Sequence, residues 1–211
     1  MTDLTELIAR VESSEHLPSD PWLDVVPPPS PRAAAVVAFP GRVVVAADVE
    51  RRWVDSWMAD GDLSAPLNPL FLGALEERLR LVVNNIDAVM LAAGETGDPP
   101  LPLDAVVDSD HPRITRARRF RSDVQAWTVD GGMLVLGRGL AGRWEASIEV
   151  EEKARNQGLG RRLAGAARYL VPDGRPVWAQ IAPGNAASMR AFLAAGYAPV
   201  GAEALLAARG F

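Results

Sequence analysis

Apolar positions open the chain at helical spacing: Leu4, Leu7, Ile8 and Val11 form one stripe and predict a short amphipathic helix within residues 1–16. The stretch LPSDPWLDVVPPPSPR breaks that period, and its prolines predict an extended linker or wrapping arm. Two apolar runs follow in AAAVVAFPGRVVVAAD, and the Pro40-Gly41 pair between them predicts two strands joined by a tight turn. ERRWVDSWMA returns to helical spacing, with Trp53 and Trp57 four apart on one face. Such a pair reads first as core packing and second as an aromatic binding wall. A further helix is expected from Asn68-Pro69 through LFLGALEERLRLVV, and then a strand over IDAVMLAAG. The breakers of GETGDPPLP follow, placing a boundary near residue 100 between regions 1–100 and 101–211.

The second region is more regular. DAVV predicts a strand, and HPRITRARRFRSD a basic helix with Pro112 near its first turn. Three strands are expected in meander order: VQAWTV, MLVLGRGL after the Asp130-Gly131-Gly132 turn, and RWEASIEV. The helix within EEKARNQGLGRRLAGAARYL leads through Pro172-Asp173-Gly174 to the strand PVWAQIA. A helix from Asn185 to Ala195 and a last strand or hairpin, YAPVGAEALLA, complete an α/β pattern.

Composition narrows the chemistry. The 211 residues are 48% hydrophobic and 23% charged, ordinary globular usage. No run approaches the roughly 18 apolar residues of a membrane helix, and the acidic N-terminus does not resemble a secretory signal. A cytoplasmic protein is expected. With no cysteine, neither disulfides, thiolate metal ligands nor cysteine nucleophiles are possible. Two histidines, His16 and His111, do not make a histidine-rich metal site, so no metal is expected. The net charge of −5 is unevenly spread. Residues 1–100 hold 16 acidic and 7 basic side chains (net −9), and 101–211 hold 11 and 15 (net +4). A basic half suggests an anionic ligand, either a nucleic acid or a phosphorylated cofactor.

The stretch Arg155-Asn156-Gln157-Gly158-Leu159-Gly160 stands between an expected strand and an expected helix. Its glycines let main chain approach a ligand closely, and the helix they open presents unpaired N–H groups and a positive dipole end. Arg155, Arg161 and Arg162 add formal charge. Leu159, Leu163, Ala166 and Leu170 recur at helical spacing and anchor the helix. No Gly-Lys-Ser/Thr follows and the order is not G-x-G-x-x-G, so this is neither a P-loop nor a dinucleotide fingerprint. It does match Arg/Gln-x-x-Gly-x-Gly/Ala. One strand later, Asn185-Ala-Ala-Ser188-Met-Arg-Ala-Phe192-Leu-Ala-Ala-Gly196-Tyr197 matches an Asn-x-x-Ala/Ser helix ending in Gly-Phe/Tyr. Asn185 is a sound N-cap and Gly196 a sound helix stop.

Together, in this order, the two segments resemble the GCN5-related N-acetyltransferase (GNAT) family over about residues 104–211. The resemblance implies a GNAT fold: a mixed central sheet splayed between two parallel strands, with helices on both faces. Residues 1–100 would be an N-terminal α/β extension or a degenerate GNAT-like lobe. It also implies an N-acetyltransferase moving an acetyl group from acetyl-CoA, as cosubstrate, to a primary amine. Main chain of Ile148, Glu149 and Val150 would pair with the pantetheine arm. Arg155 and Asn156 would belong to the cofactor-binding loop, and N–H groups from Gln157 through Gly158, Leu159 and Gly160 to Arg161 would hold the pyrophosphate. Asn185 would meet the arm from the other side, with Ser188 nearby.

The sequence departs from the family at the reacting centre. Many members carry a tyrosine seven residues after the asparagine, aimed at the sulfur, and this chain has Phe192. Tyr197 occupies a packing position. One branch uses a glutamate five residues before the asparagine, where this chain has Gln180. Acidic candidates lie instead on RWEASIEV, where Glu145, Ser147 and Glu149 share one face by alternation. Glu149 and Glu145 are therefore the candidate bases, Glu149 first; both could equally pair with nearby arginines, leaving water as the base. The Phe192 departure keeps open an inactive acyl-CoA-binding or regulatory module. The arginines at 113, 116, 118, 119 and 121 raise nucleic-acid binding as a further alternative, which the overall acidity argues against. The acceptor would be a small-molecule or peptide amine, with no membrane partner and with a homodimer left open.

Overall fold

The computed structural model describes residues 3–30, 33–59 and 61–208. Contacts divide the chain into two units, one running to Val89 and resuming at Val200, the other spanning Met90–Pro199.

The first unit opens with helix α1 (Leu4–Glu12), capped by Asp3, whose carboxylate accepts from the Glu6 N–H at 2.8 Å. Leu4, Leu7 and Ile8 are its buried stripe. The proline-rich stretch is not linker throughout. Strand β1 (Leu23–Val26) lies within it and pairs in parallel with β3 (Arg42–Ala46). Its four residues LDVV are free of proline, and Asp24 ion-pairs the buried Arg42 at 2.6 Å. β2 (Ala33–Phe39) and β3 form the expected hairpin, with Gly41 at the positive φ of 78° that its turn requires. Helix α2 (Arg51–Asp55) is shorter than the pattern suggested. Trp57 falls past its end, and Trp53 and Trp57 meet each other at 6.1 Å and Phe71 at 5.8 and 6.3 Å between ring centroids. Helix α3 (Pro69–Leu79) starts at its Asn68 cap and stops at Arg80, which takes the left-handed conformation. Strand β4 (Val82–Ala92) therefore begins earlier than expected, on the β-branched pair Val82-Val83. The last strand, β10 (Ala198–Ala207), is a single strand antiparallel to β2.

The second unit carries strands β5 (Asp104–Val106), β6 (Ser122–Val129), β7 (Gly132–Arg138), β8 (Trp144–Val150) and β9 (Val177–Ile181). Neighbours pair in the order β5-β6-β7-β8-β9, antiparallel up to β8 and parallel between β8 and β9. Helix α4 (Pro112–Phe120) covers one face, packing Ile114 and Ala117 against Ala126, Met133 and Val135. The other face takes α5 (Leu159–Leu170) and α6 (Ala186–Ala194), where Leu159, Leu163 and Phe192 meet Leu134, Leu136, Ala146 and Ala179. Met133 and Val135 thus point one way and Leu134 and Leu136 the other, the period-two signature of a sheet covered on both sides. The result is a mixed α/β fold with helices on both faces of an open sheet. Among the described residues no helix is long and apolar enough to cross a membrane.

Candidate active site

Strands β8 and β9 are parallel, yet their backbone register covers only Trp144↔Val177 and Glu145↔Trp178. Beyond that point the strands diverge, and Ile148, Glu149 and Val150 keep partners on the β7 side, at Leu134, Met133 and Gly132. Main-chain groups on the edge of this stretch that points away from β7 consequently face the gap between β8 and β9 without a strand opposite. The splay expected from the sequence is therefore present.

At the end of β8 the chain turns through the loop into α5. Asn156 (φ 61°) and Gly158 (φ 77°) both adopt the left-handed conformation. Residues of this kind turn successive N–H groups to one side of a loop, forming an anion-binding concavity. The first helical bond of the segment runs from the Arg162 N–H to the Gly158 carbonyl at 3.1 Å. The N–H groups of Leu159, Gly160 and Arg161 thus belong to the open first turn. A side chain on Gly158 would point into open space, whereas a Cβ on Gly160 would lie 3.4 Å from Ala191 and 3.6 Å from Val150. Gly160 therefore faces α6 and the end of β8 at ordinary contact distance. Arg155 turns back to donate to the Val150 carbonyl at 3.4 Å, and Gln157 donates to the Lys153 carbonyl at 3.0 Å. Arg155, Arg161 and Arg162 are all exposed around this turn.

Across the gap, Asn185 caps α6: its Oδ1 accepts from the Ser188 N–H at 3.1 Å. Asn185 itself is exposed. The structure thus brings Ile148–Val150, the 155–161 loop, Asn185 and Ser188 into one unit, on strands and helices that border the splay.

The opposite, α4-facing side of β8 is polar, and its two glutamates differ sharply. Glu145 is buried, and its carboxylate accepts from Arg143 Nε at 2.8 Å, Arg121 Nε at 2.9 Å, Gln180 Nε2 at 2.9 Å and the Leu140 N–H at 3.2 Å. Burial alone would raise its pKa, but the Arg143 and Arg121 charges and these bonds more than offset that, and the net shift is downward. Gly139 is required beside it, because a Cβ there would fall 2.2 Å from the carboxyl group. Glu149 has a half-open side chain and accepts from Arg113 Nε at 2.7 Å. That bond is the main cause of its lowered pKa. Arg121, Arg143, Gly139 and Gln180 were not assigned to a site by sequence reasoning. Arg121 was hidden in a run of five arginines, and Gln180 drew notice only as the replacement of a glutamate.

Phe192 and Tyr197 meet edge to face at 4.8 Å between ring centroids, and both are buried. The Tyr197 hydroxyl donates to the Ala164 carbonyl at 3.2 Å, and burial drives its pKa far above the ordinary tyrosine value. Tyr197 is thus a core residue with a satisfied hydroxyl.

No family model matches the chain, and no curated protein does. Among solved structures the chain is similar to a GCN5-related N-acetyltransferase from Kribbella flavida, at 18% identity and a TM-score of 0.41, over 66% of this chain and 64% of that one. A GNAT-family protein from Novosphingobium aromaticivorans is similar at 17% and 0.42, over 62% and 68%. A GCN5-related N-acetyltransferase from Sphaerobacter thermophilus is similar at 16% and 0.40, over 65% and 55%. The chain thus spans less than two thirds of the first and third of these structures. All three are structures of the family that the loop and helix motifs resemble.

Proposed function

We propose that the protein is an N-acetyltransferase that moves an acetyl group from acetyl-CoA to a primary amine of a small molecule or peptide. The observation that carries this reading is the divergence of β8 and β9 beside the left-handed turn that opens α5. An extended amide-bearing arm needs main-chain partners of its own, and the unpaired side of Ile148–Val150 supplies them. A pyrophosphate needs convergent N–H donors and positive potential. The 156–161 turn, the dipole of α5 and the flanking arginines meet both needs. The residues present therefore fit such a cosubstrate, with Asn185 and Ser188 bordering it from α6.

Acetyl-CoA supplies an activated thioester. The amine nitrogen forms the new C–N bond as the C–S bond breaks, the amine gives up one proton and the thiolate takes one. Glu149 is the proposed proton acceptor, directly or through a water. It lies at the far end of β8, where the strands have separated, and its side chain is half open. Glu145 is saturated by four donors and does not serve. With Phe192 where many members of the resembled family carry a tyrosine and the Tyr197 hydroxyl tied to Ala164, the thiolate is protonated by water when Glu149 has taken the amine proton, or directly by the ammonium formed at the attacked amine when it has not.

Incubation with acetyl-CoA and panels of amino acids, polyamines, aminoglycosides and peptide N-termini, read by release of free CoA thiol, tests this function. Turnover on any acceptor class supports it. Tight CoA binding without turnover on all of them would favour the second reading, a binding or regulatory module, for which the buried Phe192 is the specific support.

A further inference from the structure

Backbone pairing between β8 and β9 ends at Glu145 and Trp178, and side chains take over there. The Arg121 guanidinium touches both strands. On β8 it donates through Nε to the Glu145 carboxylate at 2.9 Å, and its Nη1 lies 3.4 Å from the Glu145 carbonyl and 3.5 Å from Ser147 Oγ. On β9 its Nη2 donates to Gln180 Oε1 at 3.1 Å. Gln180 closes the circuit by donating from Nε2 to Glu145 Oε1 at 2.9 Å. Arg143, buried, binds the same carboxylate at 2.8 Å and lies over the Trp178 ring of β9 at 4.9 Å.

The divergence is not caused by a bulge in β8. Its register with β7 runs unbroken from Trp144 to Val150, whereas β6 and β7 do show a shift, between Ser122 and Gln125. A polar cluster that links the two strands through side chains stands at the branch point. Arg121 suits the task because its planar fork holds several acceptors at set angles, and it stands at the end of α4, immediately before β6, on a rigid junction.

We propose that Arg121 is a positioning residue: with Gln180 and Glu145 it ties β8 to β9 at the branch point and so sets the width of the gap beyond it. This rests on the proposed function for its consequence in catalysis but not for its structural content. Arg121 touches neither the loop nor Glu149. Losing it leaves both in place but misaligned.

Two variants test it. Arg121→Met keeps the length of the side chain and loses its donors, while Gln180→Met breaks only the β9 arm and keeps the Arg121–Glu145 ion pair, so it folds even if the first does not. Amide hydrogen exchange of the free protein is the readout that does not depend on ligand. Both variants are expected to raise exchange at 145–150 and 178–181 by about tenfold or more, the scale of one charge-assisted hydrogen bond, with exchange in α5 unchanged. With an acceptor in hand, turnover is expected to fall by about 10²-fold, with the shape of the pH–rate profile unmoved. Unchanged exchange in Gln180→Met at both segments would overturn the tie, whatever the protein binds. If the wild type failed to bind CoA while the exchange effect appeared as expected, the tie would stand and the transferase reading would fall.

Discussion

Two glutamates, 145 and 149, lie four residues apart on one strand face and differ in burial and in the number of their partners. Glu145 is a buried carboxylate shared by two guanidinium groups, and breaking such a pair by removing one charge costs about 3–5 kcal/mol. Glu145→Gln is therefore expected to lower stability in chemical denaturation. The pH dependence follows from the sign of its shift. A depressed folded pKa gives stability that is fully present above the unfolded value, about 4.3, and is lost as pH falls through the folded value. Glu145→Gln should flatten the acid limb of the stability curve, and an unchanged limb would show that the carboxylate contributes nothing there. Glu149 is the candidate base, so Glu149→Gln is expected to lose about 10²–10⁴-fold in rate while the stability stays near that of the wild type. Since the Arg113 bond lowers the pKa of Glu149, Arg113→Met raises it toward the usual carboxylate range. The acid limb of kcat/KM then moves to higher pH, and a limb that stayed in place would separate Glu149 from the proton transfer. The alternation of Glu145, Ser147 and Glu149 was legible in the sequence, because period two fixes the face. Their difference in burial was not, because it depends on Arg121, Arg143 and Gln180 arriving from other elements.

At the scale of elements, the regular stretches were the most legible. β6, β7, β8, α5 and α6 fall where their periodicity and caps place them. β1 was hidden because LDVV is too short to show a period between prolines, and its pairing partner β3 is supplied by tertiary structure. The start of β4 was masked by continuous helical spacing, and only the left-handed Arg80 marks the break. The turn before α5 shows both kinds of information. Its glycines are plain in the sequence, but only the structure shows that Gly158 is left-handed and open while Gly160 is packed close to α6. Gly160→Ala would set its methyl at ordinary contact distance from Ala191, 3.4 Å. It is expected to lower thermal stability only slightly, and a loss of several kcal/mol in a melting experiment would show the α5–α6 contact to be tighter than this.

For the whole molecule, the chain leaves the first unit at residue 89 and returns to it at 200, so the two units are interleaved in sequence. Composition breaks near residue 100 do not reveal this, because β4 ends inside the second unit. Met90 and Ala92 are buried in the cluster with Leu134, Leu163 and Phe192. A fragment of residues 101–211 lacks both, and losing a core methionine alone costs about 2–5 kcal/mol. That fragment is expected to be unfolded or aggregated by circular dichroism and light scattering, and a stable, monomeric fragment would contradict the assignment of Met90 and Ala92 to its core. The central claim concerns what the protein binds, and titration calorimetry with CoA tests it most directly. The wild type is expected to bind, and Gly158→Glu to show no binding: it sets a carboxylate against the proposed pyrophosphate position and costs the fold only about 1–2 kcal/mol for its left-handed conformation. Equal CoA affinity in a folded Gly158→Glu variant, or no binding by the wild type, would contradict it.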